Sequence, residues 1–131
     1  MTTPVVLFAC VHNSGRSVAA RVLTEHHARG AVAARSAGSA PSGSVNQMVA
    51  AVLAERGLST ESETATLLEP DVVSEADAVI TMGCGDTCPI FPGKRYEDWP
   101  VEDPAGKDID AVRRIVDDID ARVRQLLAGL H

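Results

Sequence analysis

The octapeptide Cys10-Val11-His12-Asn13-Ser14-Gly15-Arg16-Ser17 stands between an apolar run and an amphipathic one, and the architecture follows from how these three pieces join. Pro4 to Cys10 is apolar and β-compatible, whereas from Ser17 to Arg29 the residues Val18, Ala19, Val22, Leu23 and His26 recur at helical spacing. The order is strand, tight loop, helix. In an open parallel sheet, ligands bind at the carboxyl end of such a strand. A loop closing onto a helix N-terminus aims several backbone N–H groups at one point, and the helix dipole favours an anion there. Arg16 adds a planar, two-toothed donor suited to a tetrahedral oxyanion. The same surroundings favour the anionic form of a thiol, so Cys10 is a candidate nucleophile facing a bound oxyanion.

The chain continues in alternation on the far side of this helix. Ala31 to Ser36 is a weaker strand candidate closed by the turn-rich stretch Ala37 to Gly43, and Val45 to Arg56 has a helical pattern ended by Gly57. Glu69 to Glu75 reads as a short helix leading into the strand Ala78 to Met82, with a loop rich in Gly, Cys and Pro from Gly83 to Gly93. Lys94 to Trp99 is a further short strand. Ile109, Val112, Ile115, Val116, Ile119, Val123, Leu126, Leu127 and Leu130 then form one apolar stripe along a long helix. Alternating strands and helices predict an α/β fold. The expected form is a single-domain three-layer sandwich over residues 1–131, with a four-stranded, mostly parallel twisted sheet and helices on both faces.

Composition narrows the function classes. The longest apolar runs fall far short of the 18 or so residues that span a bilayer, and no basic stretch precedes the first of them, so a cytoplasmic protein is expected. Residues 1–35 hold four Arg and one Glu, net +3, while residues 36–131 hold eight basic and seventeen acidic side chains, net −9. A mostly acidic surface disfavours nucleic acid and anionic membranes but leaves room for a small anion near the N-terminal part. Three cysteines, Cys10, Cys84 and Cys88, in a cytosolic chain suit inert core groups, metal ligands or redox chemistry. No His follows the pair at a convincing ligand spacing, and no metal is expected.

Four features together resemble the low-molecular-weight protein tyrosine phosphatase superfamily, and its arsenate reductase branch most, along the whole chain. They are the Cys, five residues, Arg, Ser spacing of Cys10 to Ser17; a Ser36-Ala37-Gly38 turn; Cys84 and Cys88 followed by Pro89; and Trp99 to Gly106 with its Asp103-Pro104-Ala105-Gly106. The resemblance implies that Val11, His12, Asn13, Ser14, Gly15, Arg16 and Ser17 form the oxyanion loop, with Arg16 as clamp and Asn13 holding the loop's shape. It implies that Ser17, also read as a helix cap, stabilises the thiolate, and that Asp103 is the general acid. Three positions depart from the pattern. His12 occupies a position that is often Gly and Gly15 one that is often Cys, and Arg21 stands where some relatives have a potassium-binding Glu, so that site is not carried over.

Phosphatases of the family carry aromatic residues after the Asp-Pro, but here Ala105 and Gly106 follow, in a chain with 3% aromatic residues. A small inorganic substrate fits better. In thioredoxin-coupled arsenate reductases a second thiol attacks the thiol-arsenate adduct and a third takes over the disulfide; Cys10, Cys84 and Cys88 match that order. The resemblance therefore implies arsenic detoxification: arsenate reduction, with phosphate or sulfate as competing oxyanions, no bound cofactor, and thioredoxin as the reductant of a monomeric enzyme. Three other readings stay open. They are a branch coupled to mycothiol and mycoredoxin, a tyrosine phosphatase, and a non-catalytic thiol protein that binds arsenite or senses oxidants.

Overall fold

Alternation within the first strand sets the layers. In β1 (Val5–Cys10) the residues Val6, Phe8 and Cys10 face one way and Leu7 the other, and all four are buried, as expected of a strand covered on both sides. The computed structural model describes residues 3–10, 15–38, 45–60, 66–82 and 95–129. Beyond β1 these contain α1 (Arg16–Ala28), β2 (Ala33–Gly38), α2 (Gln47–Glu55), α3 (Pro70–Ser74), β3 (Ala78–Thr81), β4 (Arg95–Asp98) and α4 (Ile109–Gly129).

The strands form one sheet in the order β2-β1-β3-β4, with every pairing parallel. Cys10 lies opposite Gly38, Ala9 opposite Thr81 and Thr81 opposite Asp98, so the carboxyl ends of all four strands share one edge. On one face Val6, Phe8 and Ile80 pack with Ala19 and Leu23 of α1, Val52 and Leu53 of α2, and Val112, Val116, Ile119 and Val123 of α4. Leu7, Ala37 and Val79 on the opposite face pack with Val73 of α3. The three layers expected from the alternation are present. Among the described residues no helix is long and apolar enough to cross a membrane.

Two expectations of local structure need correction. Ser36, Ala37 and Gly38 are not a turn but the last residues of β2, extended because Phe8, Ala9 and Cys10 require partners on that side. Gly38 is tied on its outer side as well, its N–H donating to Thr66 O at 2.8 Å and its carbonyl accepting from Leu68 N at 2.8 Å. The second correction concerns Ser17. The first helical bond of α1 runs from Ala19 N–H to Gly15 O at 2.9 Å, so Gly15 is the N-cap and Ser17 lies inside the first turn. At the far end of α2 the Gly57 stop is as expected, with φ of 77°.

Candidate active site

Three segments meet beyond the carboxyl edge of the sheet. The first is the exit of β1, where Cys10 ends the strand and is only 2% exposed. Its Sγ lies 2.9 Å from Ser17 Oγ, in a hydrogen bond between two buried side chains. Ser17 reaches the sulfur because the N-cap of α1 lies two residues earlier, at Gly15, which turns the hydroxyl back toward the strand end instead of toward the helix's own N–H groups. Arg16, first residue of α1, is likewise largely buried.

The second segment follows β4. Trp99 anchors it: the indole packs on Phe8 with ring centroids 5.7 Å apart, and the backbone N–H of Trp99 donates to Thr81 O at 2.8 Å. That anchor carries residues 101–105 over the start of α1. Arg16 Nη1 donates to Val101 O at 3.3 Å, and Arg16 Nη2 stands 3.8 Å from Asp103 Oδ2. The other carboxylate oxygen of Asp103 accepts from Ala105 N at 3.0 Å, an Asx-turn contact that fixes the rotamer while leaving the group 55% exposed.

The third segment is the start of α2. Asn46 caps that helix, its Oδ1 accepting from Met48 N at 2.9 Å and Val49 N at 3.1 Å. Cys10, Gly15, Arg16, Asn46, Asp103, Pro104 and Ala105 line one small cleft of about 30 Å³. A larger open hollow of about 370 Å³ lies at the opposite end of the strands; among the described residues it is lined by Thr3, Glu25, Gly30, Val32 and Ala33, none of them a thiol or a guanidinium. The chemistry therefore belongs to the smaller one.

Of the residues expected at the site, Cys10, Gly15, Arg16, Ser17 and Asp103 come together here. Val11, His12, Asn13, Ser14, Cys84 and Cys88 lie outside the described residues. Asn46 is an addition that the sequence reading missed. The signal was an Asn directly before the apolar periodicity of α2, legible as a cap but not as a neighbour of Cys10, which is 36 residues away. Arg21 is engaged elsewhere, donating to Ala34 O at 3.2 Å and pairing with Glu25 at 3.3 Å.

A buried thiol with a hydroxyl partner, a guanidinium and a flanking carboxylate is an arrangement chemically suited to nucleophilic substitution at a tetrahedral oxyanion. The chain belongs to the low molecular weight phosphotyrosine protein phosphatase family, whose model matches residues 5–131. Within that fold its resemblance is to the arsenate reductases. It is 30% identical to the glutaredoxin arsenate reductase of Synechocystis over 95% of this chain and 97% of that one. The structure of an arsenate reductase from Archaeoglobus fulgidus superposes with a TM-score of 0.80 at 35% identity, covering 94% of this chain and 98% of that one. A thioredoxin-dependent arsenate reductase of Corynebacterium glutamicum gives 0.84 at 43% identity over 97% of this chain; the chain spans 61% of that relative's length.

Proposed function

We propose that this protein reduces arsenate to arsenite. The observation that carries the reading is the one cleft in which the Cys10 sulfur, the Arg16 guanidinium and the Asp103 carboxylate stand together, walled among the described residues by the small, non-aromatic Pro104 and Ala105. Arg16 and the backbone amides that open α1 hold the oxyanion. Ser17 donates its hydroxyl to the sulfur when Cys10 is the thiolate. The sulfur attacks arsenic, a Cys10–arsenic bond forms, and Asp103 gives the departing oxygen a proton so that it leaves as water.

The reductive half belongs to the other two thiols. Attack of the Cys84 thiolate on Cys10 Sγ forms a Cys10–Cys84 disulfide, and the electron pair of the broken sulfur–arsenic bond stays on arsenic, which leaves as arsenite. Cys88 then displaces Cys10 from the disulfide, and a reduced dithiol protein of the thioredoxin type takes the oxidation away. The Corynebacterium relative supports thioredoxin as that donor, and three thiols in this order suit it. A reducing compartment, the cytoplasm, keeps such thiols available.

The test is NADPH consumption by the purified protein with arsenate, thioredoxin and thioredoxin reductase, beside a p-nitrophenyl phosphate control. Sustained arsenate-dependent oxidation is expected. Activity only with mycothiol and mycoredoxin or with glutathione and glutaredoxin replaces the donor, and turnover of the aryl phosphate alone replaces arsenate reduction by phosphatase chemistry.

A further inference from the structure

Gly15 is where the segments meet: a Cβ there would be in ordinary contact with Val49 Cγ2 of α2, at 3.8 Å, and in far closer contact with Pro104. A Cβ built on it would lie 2.9 Å from Pro104 Cγ and 3.6 Å from Pro104 Cδ. Carbon atoms attract best at about 3.5–4.0 Å, so the first of these distances is a collision. φ at Gly15 is −131°, outside the left-handed region, and the room beside its Cα is closed by Pro104. A long side chain could swing aside, but the pyrrolidine ring can change only its pucker and is otherwise tied to its own backbone, so an added Cβ presses on the 103–105 segment. Asp103 is the residue next to that ring. Its two carboxylate oxygens answer to Ala105 N at 3.0 Å and to Arg16 Nη2 at 3.8 Å, so displacement of the segment disturbs both.

We infer that Gly15 is a positioning residue for Asp103: by lacking a Cβ it lets Pro104 seat against the start of α1, and that contact sets where the carboxylate stands at the cleft. The inference rests on the reading of Asp103 as proton donor. A displacement of a few tenths of an ångström to one ångström at a reacting group costs up to about 100-fold in rate, so about tenfold in kcat is expected from one added methyl.

The test is a double-mutant cycle on the full chain with Gly15→Ala, Pro104→Ala and the pair, following arsenate reduction and thermal unfolding. Gly15→Ala is expected to lower kcat about tenfold with KM for arsenate changed less than threefold. In the Pro104→Ala background, where Cγ and Cδ are gone, the same substitution is expected to leave kcat at the level of Pro104→Ala alone. Equal losses in both backgrounds overturn the inference, because the methyl then acts on the oxyanion loop itself. Wild-type kcat in Gly15→Ala overturns it too. If Gly15→Ala does not fold, recovery of folding in the double variant supports it and failure to recover overturns it. Should the wild type reduce no arsenate, the reading of the reaction falls; the unfolding midpoints still decide the contact, and additive midpoints overturn it.

Discussion

Replacing Ser17 by alanine removes the oxygen that lies 2.9 Å from the Cys10 sulfur, in a place where neither residue is exposed beyond 2%. Water cannot take over the bond. While the thiol is neutral the cost is small, since Ala within a first helical turn recovers a few tenths of a kcal/mol of propensity. Once the thiolate forms, the loss is that of a hydrogen bond to a charged group, about 1.5–3 kcal/mol. At 1.36 kcal/mol per factor of ten this leaves about 10- to 150-fold less reactive sulfur. Two assays read it. Alkylation by iodoacetamide at pH 7, in a background with Cys84→Ser and Cys88→Ser so that only Cys10 reacts, falls by that factor; single-turnover arsenate reduction with all three thiols present and no external reductant falls with it. The thermal midpoint stays close to that of the parent. A folded Ser17→Ala protein that alkylates and reduces arsenate at the parental rate refutes the assignment, because the hydroxyl then serves the helix and not the sulfur.

Three further outcomes are expected. Cys88→Ser permits one turnover of arsenate and then stops; multiple turnovers with thioredoxin, counted by released arsenite, dismiss the proposed relay. Thr24 is fully buried in α1 and its hydroxyl has no hydrogen-bond partner among the described residues, so Thr24→Val, which keeps the shape and removes the orphan group, stabilises by about 1 kcal/mol or more. That raises the thermal midpoint by about 3 °C, and a midpoint below that of the parent contradicts the burial argument. Glu55 receives both Arg113 Nε at 3.0 Å and Nη2 at 2.6 Å between α2 and α4. The bond from Arg113 holds the Glu55 carboxyl below the usual carboxylate range. A carboxylate depressed in the folded state stabilises above its unfolded value and loses that contribution as pH falls through the folded one. The midpoint difference between the parent and Glu55→Gln is therefore present at pH 7, begins to shrink as pH drops below about 4, and is gone once pH lies below the folded-state value. Added salt shrinks it as well, since the pair is at the surface. A difference that grows on acidification contradicts the assignment.

Much of this structure is legible in the sequence wherever a period repeats. The apolar stripe of α4 and the buried run of β1 fix their elements because burial of one face, or of two, dictates residue type at every turn or every second residue. Ser36-Ala37-Gly38 misleads for a physical reason: small residues and a glycine look like a turn, yet their strand is held by partners at 8–10 and 66–68 that no local pattern announces. The site divides in the same way. Cys10, Arg16 and Ser17 are readable because one loop carries them. Asn46 and the Gly15–Pro104 contact are not, since each joins segments that only the closed sheet brings together.

That closure bears on how the protein acquires its chemistry. Arg16 finds its partners 85 residues along the chain at Val101 and further still at Asp103, and β1 must recruit β3 from 72 residues away before its edge is complete. Contacts of such long range form slowly, and a chain dominated by them tends to fold in milliseconds to seconds as one cooperative event. The cleft thus has no local precursor. A polypeptide holding Cys10 through Ser17 but lacking the 101–105 segment carries the thiol without the partners that hold Arg16 beside it, so the cleft is a property of the closed fold and not of the loop.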